Sequence, residues 1–421
     1  MSGKKPLLIA MIFVHSIWIA LFSGSQSNLL AQGTSSQVIH LVEPGDTWRA
    51  LAWQYGVSED VVRSANPHLN SLGEPSIGTE IVVPVEDPQI KNRGFLIRSD
   101  TAGLIAVSTL HNSNPWQLAL LNDFQSLYSP LLNRPIFIPN GETIPRELPT
   151  GFRSFDIAAI PILPGQVIGF RAQLSRPVSV TASLSDVHFV VPQGKDGVVG
   201  IAGTGAFFPT GNHDLTVVVE GFPPWVQPLN ISPGEWTYEQ INLTGTAAAI
   251  DQASIRDEWE RLSLVWSMVT PEIRWQGTFR LPIDNYLDFS SLYGAHRSYN
   301  GGPYSSYHEG LDFSAYGGTP VKAPATGIVS LAEFLYVRGG AVIIDHGYGV
   351  FSGLYHMSEI LVQPGQYVEE GQVIGNVGST GLSTGNHLHW DFLVGGTQVN
   401  PLSWLDKDLG CWLLEGIGTA C

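Results

Sequence analysis

Glycine and proline punctuate this chain so densely that long helices have little room: 46 and 28 of its 421 residues. Turn chemistry at that density favours short strands joined by tight loops, so the expected fold class is mainly β. A chain of 421 residues also exceeds what one core can serve, and about two to five domains are expected. Only 14% of residues are charged, and the net charge of −16 argues against nucleic acid and against adhesion to anionic surfaces through bulk charge.

The first 31 residues have the form of a secretory signal. Lys4 and Lys5 precede an apolar run from Pro6 to Phe22, and small polar residues follow. Cleavage is expected near Ser25 or Ala31; the alternative is an uncleaved anchor, because the run approaches the roughly 17 residues a membrane span requires. No cysteine stands nearby to carry a lipid, and no later segment is long and apolar enough to span. The expected location is therefore secreted or extracytoplasmic, with membrane contact only through an uncleaved signal.

Residues 37–86 read as strand, helix, helix, strand. Pro44-Gly45 makes a turn, Asp46 and Thr47 can cap a helix carrying Leu51, Ala52 and Tyr55, and Gly56 ends it. A second helix with Val61, Val62 and Ala65 stops at Asn66-Pro67, and "GTEIVVPV" closes the unit. With its "VEPGDTWRALAWQYGV" and "ANP" pieces, this β-α-α-β stretch resembles a LysM module. The resemblance implies binding of N-acetylglucosamine-containing glycan beside Gly45, Asp46 and Thr47 and after Asn66. Those four residues also have a plain reading as helix cap and turn. Residues 92–140 repeat the plan: Asn122 and Pro139 are spaced nearly as Asn66 and Pro84 are. Lacking the Pro-Gly-Asp-Thr turn, this is read as a degenerate LysM-like repeat.

Residues 150–245 alternate as short strands with frequent turns, which predicts a β-sandwich-like domain without an acid–base constellation. Residues 248–271 place Ile255, Trp259, Leu262 and Trp266 on one helical face that Pro271 ends, a helical linker. Residues 406–421 form a tail with both cysteines, Cys411 and Cys421; a disulfide between them and two free thiols are the alternatives.

The chemistry gathers in residues 277–405. "TGNHLHWDF" sets His387 and His389 one residue apart, and on a strand both imidazoles share a face. "SSYHEGLDFSA" sets His308 four before Asp312, on a loop entering a strand, and "FSGLYHMSE" presents His356. Each piece alone is weak. Together, His308, Asp312 and one histidine of the pair make the three-ligand set of a catalytic zinc site, with a spare imidazole to take a proton from water. His346 reads as structural turn chemistry, and Glu309 as a poor general base without a His-Glu-x-x-His helix.

These segments, with "HEGLDFSAYGGTPVKAPATGIV", "VIIDHGYGVFSGLYHMS" and the closing "VNPLSWL", resemble the zinc metallopeptidases of the lysostaphin/LytM kind, which cleave peptide bonds of bacterial peptidoglycan. The resemblance implies a C-terminal antiparallel β-rich peptidase domain and one Zn²⁺ held by His308, Asp312 and His389. It assigns His387 to activating water and His356 to stabilising the tetrahedral intermediate. One departure stands at Leu354, where the family carries Tyr. His296 and Tyr307 border the expected groove and are candidate substrate contacts. The expected function is an exported zinc metalloendopeptidase hydrolysing peptidoglycan cross-links, its peptidase domain on stem peptides and its LysM on glycan, at the cell wall. The alternatives are a catalytically silent wall-binding regulator that activates another hydrolase, and an enzyme cutting the glycan or the amide that joins it to peptide.

Overall fold

The computed structural model describes residues 36–69, 73–89, 91–98, 103–131, 134–139, 143–158, 160–191, 197–243, 251–405 and 409–418. The expected signal segment lies outside the described residues, as does Cys421 and with it the choice between a disulfide and two free thiols. Among the described residues, no helix is long and apolar enough to cross a membrane.

The first module runs β1 (Ser36–Leu41), α1 (Trp48–Tyr55), α2 (Glu59–Ala65) and β2 (Glu80–Val85), with β1 antiparallel to β2. Thr47 starts α1 by accepting from the Ala50 N–H, and Gly56 stops it at φ 68°, where a side chain would be strained. Trp48, Leu51 and Tyr55 then bury against Val62, Ile81 and Val83. The same order recurs in β3 (Gly94–Arg98), α3 (Leu104–Leu110), α4 (Pro115–Leu121) and β4 (Pro135–Pro139).

Two antiparallel sheets follow. One has the order β5-β6-β9, from β5 (Phe152–Ile157), β6 (Val167–Leu174) and β9 (Gly197–Gly203). The other runs β11-β10-β7-β8, from β7 (Val180–Leu184), β8 (Val187–His188), β10 (Gly211–Val219) and β11 (Trp225–Ile231). Phe155 and Phe170 from the first sheet bury with Val217 and Leu229 from the second, so the two inner faces share a single core. A short strand, β12 (Tyr238–Ile241), leaves this region, and α5 (Gln252–Trp266) comes next.

The C-terminal part is built on an eight-stranded antiparallel sheet. Its strands are β13 (Asp288–Ser291), β16 (Gly310–Ser314), β18 (Gly327–Leu335), β19 (Gly339–Gly347), β20 (Val350–Met357), β22 (Tyr367–Val368), β24 (His387–Val394) and β25 (Thr397–Val399). Two smaller sheets flank it: β12 with β14 (His296–Tyr299) and β15 (Ser306–Tyr307), and β17 (Pro320–Lys322) with β21 (Glu359–Ile360) and β23 (Val373–Asn376). A final helix, α6 (Leu409–Gly416), buries Leu409 and Leu413 in the same core. The architecture is mainly β, with the β-α-α-β unit at the N-terminal end and an antiparallel sheet at the C-terminal end.

Alternation along β24 decides which face does chemistry. Leu388, Trp390 and Phe392 are fully buried in the main core with Leu311, Phe313 and Trp404, and this turns His387, His389 and Asp391 to the opposite face. The helix α5 packs on that second face. Its Leu262 and Trp266 bury against Leu331, Phe351, Tyr355 and Leu393, while Trp259 is 42% exposed and rests on Trp266. The α5 carboxylate of Glu258 accepts from the backbone N–H groups of Val337 and Arg338 at 2.8 and 3.0 Å, and from the Arg338 guanidinium at 3.2 Å.

His346 serves the fold. Its ring is buried between the Thr326 carbonyl (3.0 Å) and the Ser352 hydroxyl (2.9 Å), and burial pulls its pKa down to about 4. The unfolded chain takes up a proton near pH 6.5 that the folded chain refuses. Stability conferred by the neutral ring is therefore present above pH 6.5 and lost as pH falls towards 4. The expected loss is on the order of 3 kcal/mol. Urea midpoints of wild type and His346→Gln at pH 7 and pH 4.5 check it: the variant should show the shallower pH dependence, and equal slopes would refute the assignment.

Candidate active site

Asp312 and His389 stand directly opposite each other on β16 and β24, a register that puts their side chains on one face at short range. Asp312 Oδ1 lies 2.7 Å from His389 Nδ1. His308 precedes β16 and is held by backbone bonds to both sides of a turn, its N–H to the Ala295 carbonyl and its carbonyl to the Gly294 N–H. Its Nε2 reaches 3.0 Å from His389 Nδ1 and 3.1 Å from Asp312 Oδ1. Donor atoms of His308, Asp312 and His389 all fall within 4.8 Å of one another, a set that could hold one metal ion.

The remaining ring nitrogens are already committed. His308 Nδ1 faces the Leu292 carbonyl at 3.1 Å and the Ser291 hydroxyl at 2.9 Å, which fixes the Nε2 lone pair towards Asp312. His389 Nε2 gives its proton to Asp391 Oδ1 at 2.6 Å. Burial would raise the Asp312 pKa, but facing His308 and His389 outweigh it and hold the carboxyl well below its ordinary range. Burial would lower His389, yet Asp391 and Asp312 push it up to about 9. Burial lowers His308, so a neutral imidazole, a second imidazole and a carboxylate oxygen crowd one point beside the anionic Asp312 and Asp391. That is the chemistry expected of a site for a small divalent cation.

His387 and His356 complete the arrangement. His387 Nε2 is 4.0 Å from Asp312 Oδ1, and its Nδ1 gives its proton to the Gly385 carbonyl at 2.9 Å. His356 stands at the end of β20 in the left-handed region, φ 63°, a conformation that costs about 1 kcal/mol for a residue with a side chain. Its N–H bonds the Arg338 carbonyl at 2.9 Å, and Nδ1 gives its proton to the Thr380 carbonyl at 2.7 Å. The two rings lie 4.6 Å apart between centroids. Burial, with His387 and His389 nearby, lowers His356 to about 3, so it is neutral. These residues line a cleft of about 130 Å³ with Ile241, Leu243, Arg297, Tyr299 and Leu382.

The other candidates fall elsewhere. His296 and Tyr307 pair across β14 and β15 and pack on Phe207 at 5.0 and 4.8 Å, on the face of β14 opposite to Arg297 and Tyr299. Arg297, one residue along, is the group that reaches the site. Its guanidinium is 3.5 Å from Asp312 Oδ2. Asp391 was also open to discovery, because it continues the alternation of His387 and His389 on one strand face. In the first module Gly45, Asp46 and Thr47 are buried against β11. The Gln227 side chain accepts from the Gly45 N–H at 2.8 Å and donates to the Asp46 carbonyl at 3.0 Å. Asn66 is a buried strut whose amide bonds Val62 and Val82 backbone. Leu354 is fully buried in the core beside Tyr355, which stacks on the His389 ring at 5.7 Å.

Gly310 shows how tightly the site is walled. A Cβ there would lie 2.5 Å from the Trp390 carbonyl oxygen, 2.6 Å from His389 Nε2 and 2.8 Å from Asp391 Oδ1. Gly310→Ala is expected to cost about 1–3 kcal/mol of stability through overpacking and to push His389 off Asp391. Thermal denaturation together with zinc uptake checks this; uptake at wild-type affinity would refute the contact.

Two stretches of the chain match known families. Residues 306–401 match the model of peptidase family M23, and residues 40–84 match the LysM domain. The chain carries an M23 peptidase domain. Its matched stretch contains His308, Asp312, His356, His387 and His389. The chain is 37% identical over 123 residues to the peptidoglycan DD-endopeptidase ShyA of Vibrio cholerae, 29% of each chain. It is 44% identical over 96 residues to the DD-carboxypeptidase/endopeptidase Mpg of Neisseria meningitidis, 23% of this chain and 22% of the relative. Among solved structures it is similar to lysostaphin from Staphylococcus simulans, with 29% identity, a TM-score of 0.25, and coverage of 32% of this chain and 53% of that one. The aligned parts make up less than a third of the length of the curated relatives.

Proposed function

We propose that this protein is an extracytoplasmic zinc metalloendopeptidase that hydrolyses peptide cross-links of bacterial peptidoglycan, held to the wall by its LysM module. One observation carries the reading: three donor atoms lie within 4.8 Å of one another, two of their residues, Asp312 and His389, lining a cleft with two spare imidazoles, inside an M23 peptidase domain. The relatives named DD-endopeptidases support peptidoglycan stem peptides as substrate class, and the LysM match supports N-acetylglucosamine glycan as the anchor. Both partners, together with the form of the first 31 residues, support export to the cell wall. Glycan contact through Gly45, Asp46 and Thr47 would require release of the Gln227 bonds.

His308 Nε2, Asp312 Oδ1 and His389 Nδ1 would hold the ion. When bound there, Zn²⁺ supplies a Lewis acid and lowers the pKa of a water to about 7. His387 lies on the cleft side of Asp312 and takes a proton from the attacking water through its free Nε2. The water oxygen bonds to the peptide carbonyl carbon, the C–N bond breaks, and the proton passes to the leaving amine. His356 is neutral with its Nδ1 proton committed to Thr380, so its Nε2 enters as an acceptor. It can donate to a developing oxyanion only after gaining a proton, which would have to pass to it from His387, 4.6 Å away between ring centroids. Arg297 holds the second oxygen of Asp312.

Digestion of purified peptidoglycan by the full chain tests the reading. Mass analysis should show new amino termini at stem-peptide bonds, lost on metal removal and restored by zinc. Digestion that survives complete metal removal, or release of reducing sugars or free lactyl groups in place of cuts at stem-peptide bonds, would overturn it.

A further inference from the structure

The segment between the sandwich and α5 lies outside residues 306–401, yet it reaches the candidate metal site. Its strand β12 adds in parallel to β14, with Glu239 in register with Arg297. From there the Glu239 carboxylate takes two bonds that each lead to a different ligand. Oε1 accepts from the Ser291 hydroxyl at 2.7 Å, and Ser291 Oγ stands 2.9 Å from His308 Nδ1. Oε2 accepts from Arg297 Nε at 3.1 Å, and Arg297 Nη2 reaches Ser291 Oγ at 3.0 Å and Asp312 Oδ2 at 3.5 Å.

We propose that Glu239 is a positioning residue of the metal site, acting on His308 through Ser291 and on Asp312 through Arg297. The chemistry follows from donor counting. A hydroxyl has one proton to give, and a carboxylate is the stronger acceptor for it. With its proton on Glu239, Ser291 presents only lone pairs to His308 and to Arg297. His308 must then carry its proton on Nδ1, which leaves Nε2 as a lone-pair donor facing Asp312 and His389. Without Glu239 the Ser291 hydroxyl is free to turn its proton towards His308 Nδ1 and to compete there with the Leu292 carbonyl at 3.1 Å, which would then be the one remaining acceptor holding the proton on Nδ1. The same carboxylate aligns the Arg297 guanidinium, which steadies the Asp312 oxygen not facing the histidines. Partners bonded to a metal ligand, as Ser291 and Arg297 are, typically change its affinity by about 10–100-fold when lost, and Glu239, one bond further out, is expected at the lower end of that range.

The inference rests on His308, Asp312 and His389 being a metal site, and the experiment separates the two. Zinc affinity of the full-length protein is measured by competition with a chromophoric chelator, beside the melting temperature of each metal-free protein. Wild type should bind one equivalent. Glu239→Ala should bind about 10-fold more weakly. Glu239→Gln, which keeps the shape and loses the charge, should fall between them, with metal-free melting temperatures unchanged in both. Ser291→Ala should also weaken binding, and the double variant should fall no lower than the weaker-binding of the two single variants, because both act on one chain of bonds. Wild-type affinity in Glu239→Ala and Glu239→Gln overturns the proposal, as does full additivity with Ser291→Ala. A loss of affinity that merely follows a loss of melting temperature also overturns it. A wild-type chain that binds no zinc would instead sink the metal-site reading beneath it.

Discussion

Asp312→Ala should yield a folded protein that no longer retains a divalent ion and whose wall hydrolysis falls by roughly 10³-fold or more, the worth of several kcal/mol of charge stabilisation. Asp312 supplies the one carboxylate in the converging set, and its Oδ1 lies within 3.1 Å of both imidazoles. Removing it leaves two histidine nitrogens 3.0 Å apart with no counter-charge between them. His389 would still be drawn towards Asp391, away from the cleft. The β16 backbone does not depend on the carboxylate, since its pairing to β13 and β24 runs through main-chain bonds. Metal content by atomic absorption, far-ultraviolet circular dichroism and release of amines from peptidoglycan check the outcome. A metal-loaded, active Asp312→Ala protein would remove the basis for the ligand set.

His387→Ala should lower kcat by about 10²–10⁴-fold, the range for loss of a general base, while zinc content stays at wild type. The separation matters because His387 is 4.0 Å from Asp312 and outside the converging donor set. His356→Ala should also lower kcat with zinc retained. If the rings share the proton, each single variant should cost nearly as much as the double, because groups acting as a unit do not add. The ring spacing of 4.6 Å and the matching use of Nδ1 protons on carbonyls lead to that expectation. Full additivity of the two losses would point to independent roles, and zinc loss in His387→Ala would make it a ligand.

The LysM loop carries a different lesson. Gly45, Asp46 and Thr47 read from sequence as helix cap and glycan edge at once, and Thr47 does cap α1. The structure adds a neighbour that no local pattern announced: β11, lying about 180 residues further on, whose Gln227 amide satisfies the loop backbone. Backbone donors in a turn need partners, and a distant side chain can meet that need as well as a sugar can.

Local rules sufficed wherever one element decides the outcome. Strand alternation alone put His387 and His389 on one face, the Thr47 cap and the Gly56 stop bounded α1, and the spacing of Leu262 and Trp266 marked the buried stripe of α5. The family resemblance then supplied roles for His308, Asp312, His356, His387 and His389. Other features depended on contacts between segments far apart in the chain. A strand pattern does not say which strand lies beside it, so the opposition of Asp312 to His389 required the register of β16 on β24. Neighbouring residues on a strand face opposite ways, and only packing against Phe207 settled that His296 turns out and Arg297 turns in. Glu239 and Ser291 lie 52 residues apart, and nothing local links a carboxylate on β12 to a hydroxyl on β13. Side-chain periodicity is a property of short segments and is written in their residues. Which segments meet is set by burial of the whole core, and only the folded chain decides it.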